Sequence, residues 1–117
     1  MLNSVILNGR LVKEIKLESY GKGKNAGNYC NFTLAVSRGV KDEEGNDTVD
    51  FIDCTAFNGT AEVLNKFVEK GDMVTVSGRL AVNKYTNKDG ENRNRYSVIV
   101  GNIDLLPNAR NSKKNKK

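Results

Sequence analysis

The chain has 117 residues, of which 38% are hydrophobic, and it contains no histidine. This length and composition predict one folded domain with a polar surface. The lack of histidine, together with two cysteines that form no CxxC pair, excludes a zinc site and a histidine-dependent catalytic centre. No stretch is long and apolar enough for a membrane span or a signal peptide. We therefore expect a cytoplasmic protein without a cofactor, in which Cys30 and Cys54 are buried free thiols.

The net charge of +5 comes from the end of the chain. Residues 110–117 carry five basic side chains, whereas the preceding 109 residues hold 14 basic and 14 acidic ones. Within that neutral part, residues 10–24 and 79–95 each carry five basic and two acidic side chains, and residues 42–53 carry six acidic ones. This uneven distribution predicts a basic face and an anionic partner.

The first half of the chain alternates with a period of two, which predicts strands. The first predicted strand is SVILNGRLV, in which Gly9 marks a bulge or a close backbone approach. A glycine-rich loop, ESYGKGKNAGN, leads to the second strand, YCNFTLAVS, and an acidic loop, VKDEEGNDT, leads to the third, VDFIDCTAF. One face of the second strand is apolar and is expected to be buried: Cys30, Phe32, Leu34 and Val36.

A single helix is predicted after the third strand, in TAEVLNKFVEKG. Its apolar stripe at helical spacing consists of Ala61, Val63, Leu64, Phe67 and Val68. We expect Asn58 or Thr60 to cap the start of the helix. Lys70 suits its last turn, and Gly71 suits the position just past its end.

Two more strands follow, DMVTVSGRLAVNKY and NRYSVIVGNIDLL, joined by a turn at Asp89 and Gly90. Pro107 ends the fold, and residues 108–117 are expected to form a short basic disordered tail. Five strands with one helix between the third and the fourth are typical of an OB-fold, a small all-β Greek-key barrel. We therefore predict one OB-fold domain over residues 1–107.

Three aromatic rings are predicted on strand faces that are otherwise polar: Phe51 and Phe57 on the third strand and Tyr85 on the fourth. The opposite face of the fourth strand is expected to lie in the core: Val74, Val76, Leu80 and Val82. Unpaired bases stack on exposed rings, while lysine and arginine neutralise the phosphates between them. Because a duplex hides the faces of its bases, the pattern predicts a preference for single strands.

Each aromatic residue also has an ordinary structural explanation. Phe57 could pack against the helix, and Phe51 could pack against loops or another copy of the chain. Tyr96 shares a face with apolar residues of the fifth strand and is expected to point into the core. Tyr20 and Tyr29, on or near the glycine-rich loop, are weaker candidates for binding.

Four stretches together resemble bacterial-type single-stranded DNA-binding proteins: MLNSVILNGRLVKE, NFTLAVSRG, DFIDCTAFNGTAEVLNKFVEKGDMVTVSGRL and NKYTNKDGENRNRYSVIV. The resemblance covers roughly residues 1–107 in order. It implies an OB-fold that binds single-stranded DNA without sequence preference, during replication, recombination or repair. It also implies a homotetramer, with a dimer as the alternative, and base stacking on Phe51, Phe57 and Tyr85.

The resemblance and the basic segment together give a set of candidate phosphate contacts. Lys70, Lys84 and Arg95 lie at or near positions where members of this family carry basic groups close to DNA. Three further residues are candidates because they belong to the basic segment 79–95: Arg79, Lys88 and Arg93.

The chain departs from the family pattern at several positions. Val40 stands where an aromatic residue is common, so one stacking platform is expected to be missing. Phe51 and Tyr85 stand where the best-known members have tryptophan, so weaker stacking per base is expected. Asp53 stands where some members have a basic residue, which puts that contact in doubt. The chain ends in NSKKNKK rather than in an acidic tip, so recruitment of enzymes through such a tip is not expected, and a phage, plasmid or other mobile element is the expected origin.

Three alternatives remain open at this point. An RNA-binding or primosome-type OB module is the nearest, although cold-shock-like RNA binders are shorter and cluster their aromatics on adjacent strands. A pure interaction module would bury Phe51 and Phe57 in an oligomer interface and bind no nucleic acid. An enzyme would need a metal cluster, but the four acidic residues between 42 and 47 lie in a charge run that predicts a solvated loop.

Overall fold

The computed structural model describes residues 1–105, which form one sheet that closes on itself around a core. Its strands are β1 (Val5–Leu11), β2 (Glu18–Tyr20), β3 (Gly27–Lys41), β4 (Asp47–Phe57), β5 (Met73–Thr86) and β6 (Asn92–Leu105). The helix α1 (Asn58–Phe67) lies between β4 and β5, and a 3₁₀ turn spans Gly23–Asn25. The predicted tail, residues 108–117, lies outside the described residues.

Strand pairing closes the barrel. The strand order is β1-β5-β6-β4-β3-β2, and β1 also pairs with β3 at Arg10 and Leu11. β4 and β6 run parallel, and the other pairs are antiparallel. Five strands therefore form the closed ring, with the helix where it was predicted, and the OB-fold prediction is confirmed. The sixth strand, β2, is a short segment inside the predicted glycine-rich loop that pairs with the start of β3.

Apolar side chains of the strands and of one side of α1 fill the barrel. The largest fully buried ones are Leu34, Leu64, Val74, Val76, Val98, Cys30 and Cys54. The inward face predicted for the second strand is confirmed, since Phe32 is also buried and Val36 packs against this core. Cys30 and Cys54 are free thiols, as predicted. Burial raises the pKa of Cys30 to about 11 and the pKa of Cys54 to about 12.

Two glycines allow backbones to approach closely within the sheet. A Cβ atom at Gly9 would lie 2.7 Å from the carbonyl oxygen of Ala35 in β3, which confirms the predicted close approach. A Cβ atom at Gly78 would collide with the carbonyl oxygen of Ile99. At the same point the register between β5 and β6 skips Gly101, which forms a bulge.

The strands β5 and β6 continue beyond the barrel as a two-stranded hairpin, and this corrects the prediction for Leu80, Val82 and Tyr96. The pairing of β1 with β5 ends at Gly78, and the pairing of β4 with β6 is limited to residues 98–100 of β6. Leu80, Val82 and Tyr96 keep the parity of the core residues but are 42%, 49% and 57% exposed. Their assignment to the core was wrong, because alternation identifies a face of a strand but not the point where the barrel stops covering it.

The helix ends earlier than predicted, and only part of its apolar stripe is buried. It ends at Phe67, so Lys70 and Gly71 lie in the turn that follows it rather than in its last turn and just past its end. Val63 and Phe67 are exposed, and the buried stripe is reduced to Ala61, Leu64 and Val68. Only part of the apolar stripe is buried because α1 packs on the barrel through one narrow side.

The predicted helix caps were also wrong. The N-cap residue is Phe57, and the side chain of neither Asn58 nor Thr60 caps the helix. Asn58 instead adopts a left-handed conformation with φ of 50°, and its side-chain oxygen accepts hydrogen bonds from outside the helix. The donors are the hydroxyl of Tyr20, at 3.3 Å, and the backbone N–H of Asn28, at 3.1 Å. Asn58 therefore ties the start of the helix to β2 and β3.

The acidic loop is a compact turn between β3 and β4. The carboxylate of Asp42 accepts hydrogen bonds from the N–H groups of Glu44 and Asn46, at 2.9 Å and 2.8 Å. Lys41 and Asp47 form an ion pair at 2.8 Å across its base. No three histidine, cysteine, aspartate or glutamate side chains within residues 1–105 are grouped as metal ligands. In the same residues, no helix has the length and apolar character that crossing a membrane requires.

Candidate nucleic-acid interface

The outward faces of β3 and β4 form the floor of an open groove. Adjacent residues in the register are Ala35 with Phe51, Thr33 with Asp53, Asn31 with Thr55 and Tyr29 with Phe57. The floor therefore has an aromatic ring at each end and polar side chains between them. Two hydroxyl hydrogen bonds order the polar part, from Thr33 to Asp53 at 3.2 Å and from Thr55 to Asn31 at 2.7 Å.

Two walls flank this floor and enclose about 560 Å³. The connection between β1 and β2 supplies Lys13, Glu14 and Lys16 to one wall. The hairpin supplies Asn83, Arg95 and Ser97 to the other. The two basic segments identified in the sequence thus meet at one groove, where their positive potentials add.

Phe51 stands largely free at one end of the floor. Its side chain is 68% exposed, and its neighbour across the register is the small Ala35. An apolar ring in this position is accessible to a planar ligand and contributes little to the core.

Phe57 belongs to an aromatic cluster at the other end of the floor, which we define as Tyr20, Tyr29 and Phe57. The ring centroid of Phe57 lies 6.3 Å from that of Tyr20 and 6.4 Å from that of Tyr29, and the centroids of the two tyrosine rings lie 6.2 Å apart. Phe57 remains 42% exposed and Tyr20 39% exposed. A hydrogen bond and the charge of Glu18 raise the pKa of Tyr29. The cluster is therefore a platform of three rings, held by Asn58 and Glu18.

Tyr85 lies on the hairpin and is 50% exposed. It faces Arg93 across the strands, and Asn83 faces Arg95 two residues closer to the barrel. These four residues share one side of the hairpin, the side that forms the groove wall. The structure thus brings Tyr85, Arg93 and Arg95 together on the groove side.

The other predicted basic residues are less uniformly placed. Lys84 lies on the opposite face of the hairpin, the face of Val82 and Tyr96. Lys88 is exposed in the turn formed by residues 87–91. Arg79 is exposed on the outward face of β5, directly opposite Ile99 of β6.

Lys70 lies at the rim of the groove but not in its lining. It is exposed in the turn between α1 and β5, and its backbone N–H donates a hydrogen bond to Glu14 at 3.1 Å. Because Glu14 lines the groove, Lys70 is held close to the wall formed by Lys13 and Lys16.

Both groove-side arginines of the hairpin are engaged in exposed ion pairs. Arg93 contacts Glu91 at 2.9 Å, and Arg95 contacts Asp53 at 3.5 Å. Exposed pairs of this kind contribute little to stability, so exchanging the carboxylate for a phosphate is inexpensive.

Sequence reasoning did not single out Lys13 and Lys16, or the polar floor residues, as parts of the site. Asn31 and Thr33 alternate with the apolar residues of the second strand, which is the available signal for the floor. For Lys13 and Lys16, the only indication in the sequence is that they belong to the basic segment 10–24. Val40, where the resemblance implies a missing ring, is 61% exposed near the end of β3.

Residues 2–106 match the model of the single-strand binding protein family. The chain belongs to this family. A relative in the single-strand binding family, single-stranded DNA-binding protein 1 of Clostridium acetobutylicum, is 39% identical over 100 residues, which cover 86% of this chain and 88% of that protein. Single-stranded DNA-binding protein 1 of Streptococcus pyogenes is 32% identical over 112 residues, covering 96% of this chain and 84% of that protein. The single-stranded DNA-binding protein of Staphylococcus aureus strain N315 is 38% identical over 106 residues, covering 91% of this chain and 66% of that protein.

These matches confirm the resemblance deduced from the sequence. Members of the single-strand binding family are not enzymes, so the expectation of a non-enzymatic protein is confirmed as well.

Proposed function

We propose that this protein binds single-stranded DNA largely independently of sequence, through the groove between the hairpin and the β1–β2 connection. The observation that carries the proposal is the pair of exposed aromatic platforms, Phe51 and the aromatic cluster, at the two ends of one polar floor with basic walls. Stacking on a ring tolerates any base because every base has a π-face, and the basic walls attract the phosphates.

The platforms are far enough apart to hold different bases of one strand. Phe51 and Phe57 are six residues apart on β4, which corresponds to about 20 Å along the strand. Tyr85 adds a third ring beside Arg93 on the hairpin wall. A strand that touches all three rings must lie extended along the groove with its bases separated, a conformation incompatible with a duplex.

Such binding would coat single strands during replication, recombination or repair, and would protect them from reannealing and from nucleases. This role places the protein in the cytoplasm with the DNA. Residues 110–117, with five basic side chains, would add phosphate contacts.

A homotetramer, or a dimer, is part of the proposal, because coating is more effective when several domains share one strand. Among the described residues, β1 pairs with β3 only through Arg10 and Leu11, so residues 5–8 present one edge without a strand partner. The side chain of Ile6 on this strand is 71% exposed. A free edge with an exposed apolar residue supports association with a second copy. Ile99 and Ile103 of β6 are alternative candidates for this interface, but Ile103 packs against the core and Ile99 is only partly exposed.

The test is fluorescence anisotropy of a labelled poly-dT oligonucleotide, with unlabelled duplex DNA and RNA as competitors and with salt varied. We expect tight binding that neither competitor displaces and that weakens steeply as salt is added. Phe51→Ala is expected to weaken binding without changing the oligomeric state measured by light scattering. If the unaltered protein binds no DNA and Phe51→Ala loses its assembly, the interaction-module alternative is supported instead. Preferential displacement of the oligonucleotide by RNA would support the RNA-binding alternative.

A further inference from the structure

The polar centre of the groove floor contains one acidic side chain, Asp53. Its side chain is 46% exposed, and it lies on the same face of β4 as Phe51 and Phe57. One carboxylate oxygen accepts the hydroxyl of Thr33 at 3.2 Å, and the other lies 3.5 Å from the guanidinium of Arg95. The ion pair is long and exposed, so the carboxylate remains accessible to a ligand in the groove.

The position of Asp53 suits contact with the edge of a base rather than with its face. Asp53 is two residues from Phe51 on the same strand face, a separation of about 7 Å. A base stacked on the Phe51 ring extends beyond that ring, so one of its edges lies toward the carboxylate. A carboxylate only accepts hydrogen bonds, and it therefore favours edges that donate them.

The same carboxylate would favour one orientation of a strand in the groove. It repels phosphates from the centre of the floor, whereas Lys13, Lys16 and Arg93 attract them to the walls. The expected arrangement thus has the phosphates along the walls and the base edges over Asp53.

We propose that Asp53 gives the groove a preference for bases that carry an exocyclic amino group, cytosine in particular, over thymine. This inference rests on the proposed function, since it concerns bases bound in the same groove. Cytosine offers its N4 amino group to the carboxylate, as it does to acidic side chains in DNA recognition. Thymine offers the carbonyl oxygen O4 at that position, so two acceptors face each other. Stacking supplies the affinity, and Asp53 adds a modest selectivity to it.

The experiment measures the ratio of the Kd for oligo-dT to the Kd for oligo-dC of equal length, for the full chain and for Asp53→Asn. The amide keeps the shape of the carboxylate but both donates and accepts, so it cannot discriminate between the two bases by acceptance alone. We expect this ratio to fall about fivefold in the variant, because the affinity for oligo-dT rises more than the affinity for oligo-dC. Asp53→Ser, which removes the carboxylate but keeps a polar side chain, is expected to lower the ratio in the same way.

Asp104→Asn is the matched control, because it removes the same charge from an exposed position of β6, opposite Thr75 and outside the groove lining. It should leave the ratio unchanged. An unchanged ratio in both Asp53 variants, or an equal gain of affinity for both oligonucleotides, would overturn the inference while leaving single-strand binding intact. Failure of the unaltered protein to bind either oligonucleotide would overturn the proposed function as well.

Discussion

The two exposed tyrosines of the hairpin provide a matched test of which surface binds DNA. Tyr85 and Tyr96 are 50% and 57% exposed and lie on opposite faces of the same pair of strands. Tyr85 faces Arg93 on the groove side, whereas Tyr96 lies beside Val82 on the other side. Tyr85→Ala is therefore expected to weaken binding to single-stranded DNA, and Tyr96→Ala is not.

The magnitude follows from the stacking contribution of one base, about 1–3 kcal/mol. This corresponds to a loss of about fivefold to 150-fold in affinity for Tyr85→Ala. The cost in folding stability is comparable in the two variants, because each ring is about half exposed: burying about 100 Å² of ring surface is worth at most about 2.5 kcal/mol. A difference in affinity between the variants thus cannot arise from a difference in unfolding.

The assay is an anisotropy titration of one labelled oligonucleotide at a single salt concentration, with thermal unfolding of each variant recorded in the same buffer. We expect similar unfolding temperatures for the two variants and a large difference in Kd. If Tyr96→Ala loses as much affinity as Tyr85→Ala, or if Tyr85→Ala loses none, the assignment of the groove side of the hairpin to DNA is refuted.

Two further predictions concern the barrel itself. Gly9→Ala should destabilise the fold by about 1–3 kcal/mol in urea unfolding, because the added methyl group would lie 2.7 Å from a backbone oxygen of β3. Gly59→Ala in α1, where a Cβ atom meets nothing within 4 Å, should be neutral or stabilising, and equal losses in the two variants would contradict the close approach. Cys30 and Cys54, whose pKa values burial raises from 9.0 to about 11 and about 12, should react with a thiol reagent only after unfolding. Because these pKa values are higher in the folded state, burial of the two thiols contributes its full stability below pH 9.0, and this contribution is lost as the pH rises toward 12. Urea unfolding midpoints measured at neutral and alkaline pH would reveal the loss. Fast reaction of the thiols in the native protein would contradict their burial.

Strand alternation predicted the faces of the sheet well, because the period of two is a property of the backbone alone. It placed Phe51 and Phe57 outward and Cys30 and Leu34 inward, as the structure has them. It could not predict that Val82 is exposed, because exposure depends on where neighbouring strands stop pairing. That point is a tertiary property, fixed here by the end of the pairing between β1 and β5.

The aromatic residues of the site were predictable, whereas the walls of the groove were not. An exposed ring on a polar face is visible in a single strand, so Tyr85 could be identified from parity. The position of Lys16 depends on how the barrel closes, since the β1–β2 connection faces the hairpin across the groove only after β1 pairs with β3. Asn58 illustrates the same limit, because its hydrogen bonds with β2 and β3 come from segments about 30 or more residues away.

The proposed binding mode separates two kinds of contact with a base, and this separation would let one surface combine tolerance with selectivity. In this binding mode the rings of Phe51 and the aromatic cluster meet the faces of bases, which are alike in all four, so affinity from stacking is nearly independent of sequence. Asp53 and the polar floor meet the edges, which differ in their donors and acceptors. Because the faces carry most of the energy and a single exposed carboxylate carries little, selectivity can be altered at Asp53 without loss of the coating function. Base preference is therefore the property of this groove that single substitutions alter most easily while stacking stays constant.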